Sequence, residues 1–379
     1  MVRPMIEISD DFLIDSAIKH HSLRTSEKDI LDHPSVHRIV GVLQRALGRC
    51  SMVQVVVNEV LHVVKRSASI DWLLFLSEHS HRDHLLHQFR VALIADWLLH
   101  YIFRTKVADG DYEMTRAMLW SAALVHDHGY ALSRLVSLIP TLFLNGTGIF
   151  DADEQGVFLL LRKCYEGTYS PTIMERLCVP PNAQDKNTKL EVTLSSEIRA
   201  AVGEYFGVSR ANLDARVLAK LCSEGSNVYD HGLWSALNMA ARFDDAGLPW
   251  RHRHDEIPTI RNLLEAIAAH NHSEFSGSDF DVSRNPLSGI LVLADEIQEW
   301  NRPILSRAKQ VTLQCRVLLD RPSRSKLGMV FEYDHTGLHR AGLAIKKMKR
   351  LKSAAFQRIK GAAGLPSIDV NCHSVELSV

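Results

Sequence analysis

Apolar residues recur every three or four positions over most of the first 300 residues, a spacing that places them on one face of an α-helix. Glycine, proline and polar clusters interrupt this pattern at intervals that suit separate helices. The predicted helices cover about 36–64, 70–103 with a break near Ser80, 112–126, 195–206, 210–223, 231–243, 258–270 and 286–300. The pattern therefore predicts a mainly α fold.

The pattern changes character after Pro303. Residues 311–319 alternate partly like a strand, and 328–333 follow as a second strand after a polar turn. A helical pattern over 337–362 and a short apolar alternation over 367–372 complete the chain. We therefore predict a small C-terminal β-β-α-β appendage from about residue 304.

These changes predict three regions along the 379 residues, a length that suffices for a well-buried core. We expect an N-terminal helical region over 1–69, a central helical domain over 70–303 and a small α+β domain over 304–379. Residues 140–195 form the least regular stretch, and we interpret them as an insertion within the central domain.

Composition excludes several classes of protein. Lys+Arg and Asp+Glu both total 44, so no global charge favours nucleic acid or an acidic membrane as a partner. The six cysteines are widely spaced without a CxxC pair, which argues against a zinc ribbon and a disulfide framework. No N-terminal apolar segment or membrane-length apolar run is present, so we expect a soluble cytoplasmic protein.

Histidine is the exception to this ordinary composition. The chain has 20 histidines, about twice the average for its length. Several of them, together with aspartates, lie at the ends of apolar helical runs, where their side chains can point toward a core. The six donors in chain order are His87, His126, Asp127, His231, His270 and Asp295.

The spacing of these donors favours metal binding over isolated structural roles. Adjacent helical residues point about 100° apart, so His126 and Asp127 can face one ion only where the helix ends, and Gly129 is expected to supply that bend. Asp295 lies in a helix that is apolar nearly all round, where a carboxylate is costly to bury without a cation. A single histidine would more commonly be a packed structural residue, but six such donors in this order indicate a metal site.

This pattern resembles the HD-domain superfamily of helical, metal-dependent phosphohydrolases over about residues 80–302. The most specific element is the His126-Asp127 pair, while His87 with Val91-Ala92 resembles the first histidine helix and Asp295 resembles the closing aspartate. The chain has His270-Asn271-His272 where the HD-GYP branch has two adjacent histidines and a Gly-Tyr-Pro motif. Specificity for cyclic di-GMP is therefore not implied.

The resemblance implies an HD-type helical bundle with two divalent transition-metal ions. One ion would be bound by His87, His126, Asp127 and Asp295, and the second by Asp127, His231 and His270. Nitrogen-rich ligation suits Mn, Fe, Co, Ni or Zn better than Mg. A metal-bridging hydroxide would then attack a nucleotide or a related small phosphate ester.

Two further residues are candidates for catalytic roles beside Asp127. His84 is expected to orient a ligand carboxylate or water, or else simply to pack beside the site. Arg302 follows the Asp295 helix and could bind a phosphate from the rim, although a solvated interdomain arginine fits equally well. Arg82 and Arg90 are interpreted as surface ion pairs, and Glu296 as solvated.

The basic C-terminal helix allows two interpretations. Lysines and arginines accumulate between 346 and 360 without an acidic residue, which is typical of a solvated face. It could instead form an electrostatic footprint for a nucleotide or an acidic partner, but aromatic residues are too sparse there for a nucleic-acid platform.

Three functions stay open on the sequence alone. The leading hypothesis is a phosphoric ester hydrolase acting on a small phosphate ester or nucleotide, with no membrane or nucleic-acid partner. The same donors also resemble those of di-iron oxygenases of the HD fold, such as myo-inositol oxygenase. The third is a non-catalytic ligand-sensing or scaffold module, in which the C-terminal appendage mediates interaction or homo-oligomerisation.

Overall fold

The computed structural model describes fourteen segments of the chain. They are residues 5–47, 54–77, 84–104, 112–130, 231–247, 257–270, 286–300, 302–305, 310–313, 315–323, 326–335, 345, 347–352 and 367–376. Helices dominate these segments, and they accompany a small four-stranded sheet. The mainly α fold predicted from the periodicity is confirmed at this level.

Eight α-helices are described. They are α1 (Asp10–Lys19), α2 (Val36–Leu47), α3 (Gln54–Ser77), α4 (His84–Leu98), α5 (Tyr112–Val125), α6 (His231–Asp245), α7 (Ile257–Ala269) and α8 (Pro286–Ile297). A short π-helical turn, Leu99–Phe103, extends α4, and a 3₁₀ turn covers Thr25–Glu27. The prediction of separate helices before and after residues 65–69 is wrong, because α3 is continuous. That polar stretch contains neither glycine nor proline to break a helix.

Helix α4 is the centre of the helical part. It contacts α1, α3, α5 and α8, and its residues from Gln88 to Leu98 are all buried. Helix α5 is similarly buried from Ala117 to Val125. A helix that is apolar nearly all round needs neighbours on every side, which explains why these two lie innermost.

The remaining helices surround this pair. Helix α7 contacts α5, α6 and α8, and α6 also contacts α3. The carboxyl ends of α5 and α7, the amino end of α6 and parts of α4 and α8 carry the histidines and aspartates of interest. The packing of α4, α5, α6, α7 and α8 therefore decides whether these donors meet.

The sheet combines the two ends of the chain. Strands β1 (Met5–Ile8), β4 (Cys315–Ser323), β5 (Lys326–His335) and β6 (Ser367–Glu376) lie in the order β1-β4-β5-β6. The β1–β4 and β4–β5 pairs are antiparallel, whereas β5 and β6 are parallel. The sequence pattern did not predict β1, because a four-residue strand at a sheet edge carries too little alternation to be recognised.

The alternating strand pattern identified the core of this sheet. Val317 and Leu319 on β4, with Met329 and Phe331 on β5, are buried on one face. The strand predicted over 311–319 is divided between β4 and β3 (Gln310–Leu313), and β3 forms an antiparallel hairpin with β2 (Arg302–Leu305). Residues 347–351 are helical and lie in the chain between the parallel strands β5 and β6.

Several predicted features lie outside the described residues. They are the proposed insertion over 140–195, the helices over 195–206 and 210–223, and the break near Ser80. The division of the chain into three domains stays a prediction. Among the described helices, none combines the length and apolar character that a bilayer crossing requires.

A buried ion pair ties α1 to the central helix. The Arg90 guanidinium donates from Nε to Asp10 Oδ1 at 2.9 Å and from Nη2 to Asp10 Oδ2 at 2.7 Å. Trp300 Nε1 donates to the same Asp10 Oδ1 at 2.8 Å. The interpretation of Arg90 as a surface residue is wrong, because its side chain is only 7% exposed. Asp10 thus connects α1, α4 and the segment after α8.

We expect Asp10→Asn to lower the free energy of unfolding by about 1.5–3 kcal/mol, because it leaves a largely buried guanidinium without its carboxylate. Asp29→Asn is the matched control, since Asp29 pairs with Arg38 at an exposed site and should change stability little. Urea denaturation of both variants measures the difference. Equal midpoints would contradict the importance of the Asp10 pair.

Candidate metal centre

Six donor side chains meet where five structural elements converge. His87 lies in the first turn of α4, and Asp295 lies near the end of α8. His126 and Asp127 follow the last residue of α5, His231 opens α6, and His270 follows the last residue of α7. These are the six residues that the sequence identified as metal ligands. The structure places all six together.

The end of α5 allows two adjacent residues to face one site. The helix ends at Val125, and residues 126–128 form a turn in which the His128 N–H donates to Val125 O at 3.1 Å. Gly129 does not adopt a positive φ, so the bend differs from the glycine-driven break that we predicted. Instead the Gly129 N–H donates to Ser235 Oγ on α6 at 2.6 Å.

Ser235 fastens this turn to the start of α6. Its buried hydroxyl also lies within hydrogen-bond distance of His126 O, at 2.5 Å, and of His231 O, at 2.8 Å. One hydroxyl thus contacts the backbone of His126 and His231, both proposed ligands, and of Gly129, two residues after Asp127. Sequence analysis missed this role, because a serine within a helix gives no signal of its distant partner.

The two carboxylate oxygens of Asp127 face different histidines. Oδ2 lies 3.3 Å from His87 Nε2 and 3.4 Å from His126 Nε2. Oδ1 lies 3.1 Å from His231 Nε2 and 3.3 Å from His270 Nε2. His87, His126 and Asp127 form one group that could hold a metal ion, and Asp127, His231 and His270 form another.

Asp295 adds a carboxylate oxygen to the first group. Its Oδ1 lies 3.2 Å from His87 Nε2 and 3.9 Å from His126 Nε2. Its Oδ2 points the other way and lies 3.6 Å from Arg350 Nη2. Asp295 is therefore positioned as a further donor to the group that contains His87.

Contacts at Nδ1 orient three of the imidazoles. Nδ1 of His126 lies 2.7 Å from Ala123 O, and Nδ1 of His270 lies 2.7 Å from Ile267 O. His87 Nδ1 lies 2.6 Å from Gln298 Oε1, and the Gln298 amide donates to Trp300 O at 2.8 Å. A hydrogen bond from Nδ1 to oxygen leaves Nε2 with its lone pair directed at the site.

The buried Nε2 atoms of His126 and His270 make no hydrogen bond within the described residues. Each nevertheless lies 3.3–3.4 Å from an Asp127 oxygen. Buried polar atoms are seldom left without a partner, and imidazole nitrogens beside carboxylates are the donors that transition metals prefer. The residues present therefore fit a metal ion.

The electrostatics of the centre keep its carboxylates charged. Burial opposes ionisation of Asp127, but His126, His231, His270 and His87 outweigh it and hold its pKa well below the usual range. Burial lowers the pKa of His126 to about 4, so this ring is neutral at neutral pH. A neutral imidazole and a charged carboxylate are the forms that bind metal.

Contacts within the centre also shift the pKa values of His270 and Asp295. Burial alone would lower the pKa of His270, but Asp127 and Asp295 raise it. For Asp295, His87, His126 and Arg350 overcome the opposing effect of burial and hold the pKa well below its usual range. The two carboxylates of the centre thus keep their negative charge, which favours a cation between them and the imidazoles.

Gly232 is required by the close approach of His270. A Cβ at this position would lie 2.9 Å from His270 Cε1 and Nδ1 and 3.1 Å from Ala268 O. Both groups are fixed, one by its hydrogen bond to Ile267 O and the other as backbone. Only glycine fits here without moving the ring.

His84 and Arg302, the other two residues predicted to belong to the site, are not part of the six-donor group. The ring centroids of His84 and Tyr130 lie 4.6 Å apart, and the Tyr130 ring lies nearly perpendicular to the His231 ring with their centroids 5.9 Å apart. His84 thus lies beside the centre and outside the two groups around Asp127. Arg302 begins β2, and its side chain lies outside the described residues.

The expectation of a solvated Glu296 is wrong, and the expectation of a solvated basic face is wrong at Lys347. Glu296 is 1% exposed, because Lys347 Nζ from the C-terminal helical segment donates to its Oε2 at 2.5 Å and Arg350 also pairs with it. Lys347 also contacts Glu299 Oε1 at 2.9 Å, and its side chain is only 4% exposed. The predicted solvated basic face is therefore wrong at Lys347, whereas Arg350 pairs with Glu296 but keeps 45% of its side chain exposed. The basic spacing was visible in the sequence, but its acidic partners about 50 residues earlier were not.

Searches of protein-family models, curated proteins and solved structures yield no match for this chain. The resemblance to HD-domain proteins therefore stays a prediction carried by the donor residues.

We expect Gly232→Ala to weaken metal binding by about 10- to 100-fold, because the added methyl group displaces His270 from Asp127. Gly41→Ala is the matched control, since a Cβ in that helix would meet only the end of Arg45 at 3.8 Å. Titration of metal into each purified variant measures the affinity. Wild-type affinity in Gly232→Ala would contradict the requirement for glycine.

Ser235→Ala should lower the free energy of unfolding by about 1–3 kcal/mol, because the buried Gly129 N–H loses its acceptor. Ser288→Ala is the control, because the Ser288 hydroxyl is equally buried and makes no hydrogen bond in the described part of the chain. Thermal unfolding of the two variants compares them. A larger loss in Ser288→Ala than in Ser235→Ala would refute the role of the Ser235 hydroxyl.

Proposed function

We propose that the six donors hold two divalent transition-metal ions and that the protein is a metal-dependent phosphohydrolase or phosphodiesterase. Its substrate would be a nucleotide or a related small phosphate ester. The helices that carry the donors would then form an HD-type bundle. This proposal accords with the order of the donors along the chain and with their convergence in space.

The division of Asp127 between two pairs of histidines is the observation that carries the proposal. Oδ2 faces His87 and His126, whereas Oδ1 faces His231 and His270, at distances of 3.1–3.4 Å. A carboxylate that serves one ion needs histidines on one side only. Histidines on both sides suit a carboxylate shared between two ions.

The donors divide unequally between the two positions. His87, His126, Asp127 and Asp295 would hold one ion, and Asp127, His231 and His270 would hold the other. Four imidazoles and two carboxylates favour Mn, Fe, Co, Ni or Zn over Mg. His231 is the most exposed donor, with 24% of its side chain accessible, so the second position is the more open one.

Two such ions would supply an activated hydroxide and would stabilise negative charge on a phosphoryl group. The chain itself holds the charges that this chemistry requires. Asp127 and Asp295 contribute two negative charges against four from the ions, which leaves a positive centre suited to an anionic substrate. The contacts made by Nδ1 of His87, His126 and His270 keep the Nε2 atoms of these rings oriented toward the site.

Elemental analysis of protein purified without chelator tests the proposal directly. We expect about two transition-metal ions per wild-type chain and hydrolysis of at least one member of a phosphoester panel. Asp127→Asn should lose metal affinity by at least about 100-fold and lose hydrolysis with it, because both groups share that carboxylate. Asp15→Asn, an exposed change on α1, is the control and should keep both properties.

The other outcomes separate the competing functions. Bound iron together with oxygen uptake, and no phosphoester hydrolysis, would favour a di-iron oxygenase. Failure to bind metal after reconstitution would contradict both the phosphohydrolase and the oxygenase hypotheses. The remaining hypothesis would then be a non-catalytic binding module.

A further inference from the structure

The C-terminal helical segment 347–351 carries two basic residues, Lys347 and Arg350, that pair with Glu296 beside the proposed metal centre. Lys347 Nζ contacts Glu296 O at 2.7 Å as well as the carboxylates of Glu296 and Glu299. Its ammonium also lies 4.7 Å from the centre of the Phe331 ring on β5. This buried lysine fixes the segment against α8 and the sheet.

Arg350 lies about one helical turn after Lys347 and reaches the edge of the centre. Its Nε pairs with Glu296 Oε1, and its Nη2 lies 3.6 Å from Asp295 Oδ2. The other oxygen of Asp295 faces His87 and His126. A single carboxylate therefore separates the guanidinium from the first group of proposed metal ligands.

The exposure of Arg350 distinguishes it from a purely structural ion pair. Lys347 is almost wholly buried between Glu296 and Glu299, whereas the Arg350 side chain is 45% exposed. At 3.6 Å, the contact with Asp295 is an electrostatic attraction and is too long for a hydrogen bond. The guanidinium is thus held by Glu296 on one side and accessible to solvent beside the metal ligands.

We propose that Arg350 binds the anionic group of the substrate and thereby makes the C-terminal segment part of the substrate site. This inference rests on the proposed function, because the anion would be the phosphate that the metal centre attacks. A planar guanidinium can donate two parallel hydrogen bonds to phosphate oxygens. The anchoring of Nε by Glu296 orients that plane in advance, which lowers the entropic cost of binding.

This assignment transfers to Arg350 the role that the sequence suggested for Arg302. Both residues are arginines that follow the Asp295 helix in the chain. Arg350 is the one whose guanidinium is described beside Asp295. It lies 55 positions further along the chain than Asp295, so sequence proximity could not identify it.

Binding of inorganic phosphate to the metal-loaded full chain tests the inference. Isothermal titration calorimetry would compare wild type with Arg350→Gln and Arg350→Lys. We expect Arg350→Gln to raise the Kd for phosphate by about 10- to 100-fold, with metal content unchanged. Arg350→Lys should weaken binding less, because it keeps the charge and loses the planar fork.

Arg316→Gln is the matched control. Arg316 is similarly exposed, at 52%, and pairs with Glu332 in an ordinary exposed ion pair between β4 and β5. This variant should bind phosphate as the wild type does. An equal loss of affinity in Arg316→Gln would show a general charge effect and would overturn the assignment to Arg350.

Four other results would also overturn it, and they are distinguishable. Wild-type phosphate affinity in Arg350→Gln with metal retained would remove Arg350 from the substrate site, while the proposed function would stand. Loss of metal in Arg350→Gln would show that Arg350 only orients Asp295. Failure of the metal-loaded wild type to bind phosphate would remove the proposed function and this inference together. If Arg350→Gln does not fold, wild-type affinity in Arg350→Lys would overturn the inference.

Discussion

Two buried carboxylates surrounded by imidazoles are the constraint on which the centre of this protein depends. Asp127 and Asp295 stay ionised although burial opposes it, because His87 and His126 lie within 3.9 Å of both. Leaving such charges in an apolar helical core without a cation would be costly. The helices around the site are therefore arranged to satisfy these two side chains as well as to bury apolar surface.

The surrounding structure holds the donors by contacts away from the metal-binding atoms. Backbone carbonyls near the ends of α5 and α7 fix His126 and His270, and Gln298 fixes His87. Ser235 joins the turn after α5 to the beginning of α6, and Gly232 leaves room for the His270 ring. A donor set from five elements needs such support, because a small displacement of one element would separate the ligands.

The C-terminal part of the chain is connected to this centre by charge. Lys347 and Arg350 contact Glu296 on the helix that carries Asp295, and Tyr333 on β5 contacts Glu299 through its hydroxyl at 3.2 Å. Strand β1 joins the same sheet, and the chain then enters α1, where Asp10 binds Arg90 on the central helix. Described residues from the N-terminal and C-terminal parts of the chain thus contact the helices that position the donors.

Much of the helical architecture and the identity of the six donors could be predicted from the residues. Apolar periodicity is a local property, and histidines or aspartates at the ends of apolar helices stand out against it. The strand β1, the continuous helix α3 and the partners of Ser235, Gly232, Glu296 and Arg350 could not be predicted in this way. These features depend on contacts between residues far apart in the chain, and only packing in three dimensions decides which distant groups meet. The division of Asp127 between two pairs of histidines belongs to the same class, because it requires four chain segments to converge on one carboxylate.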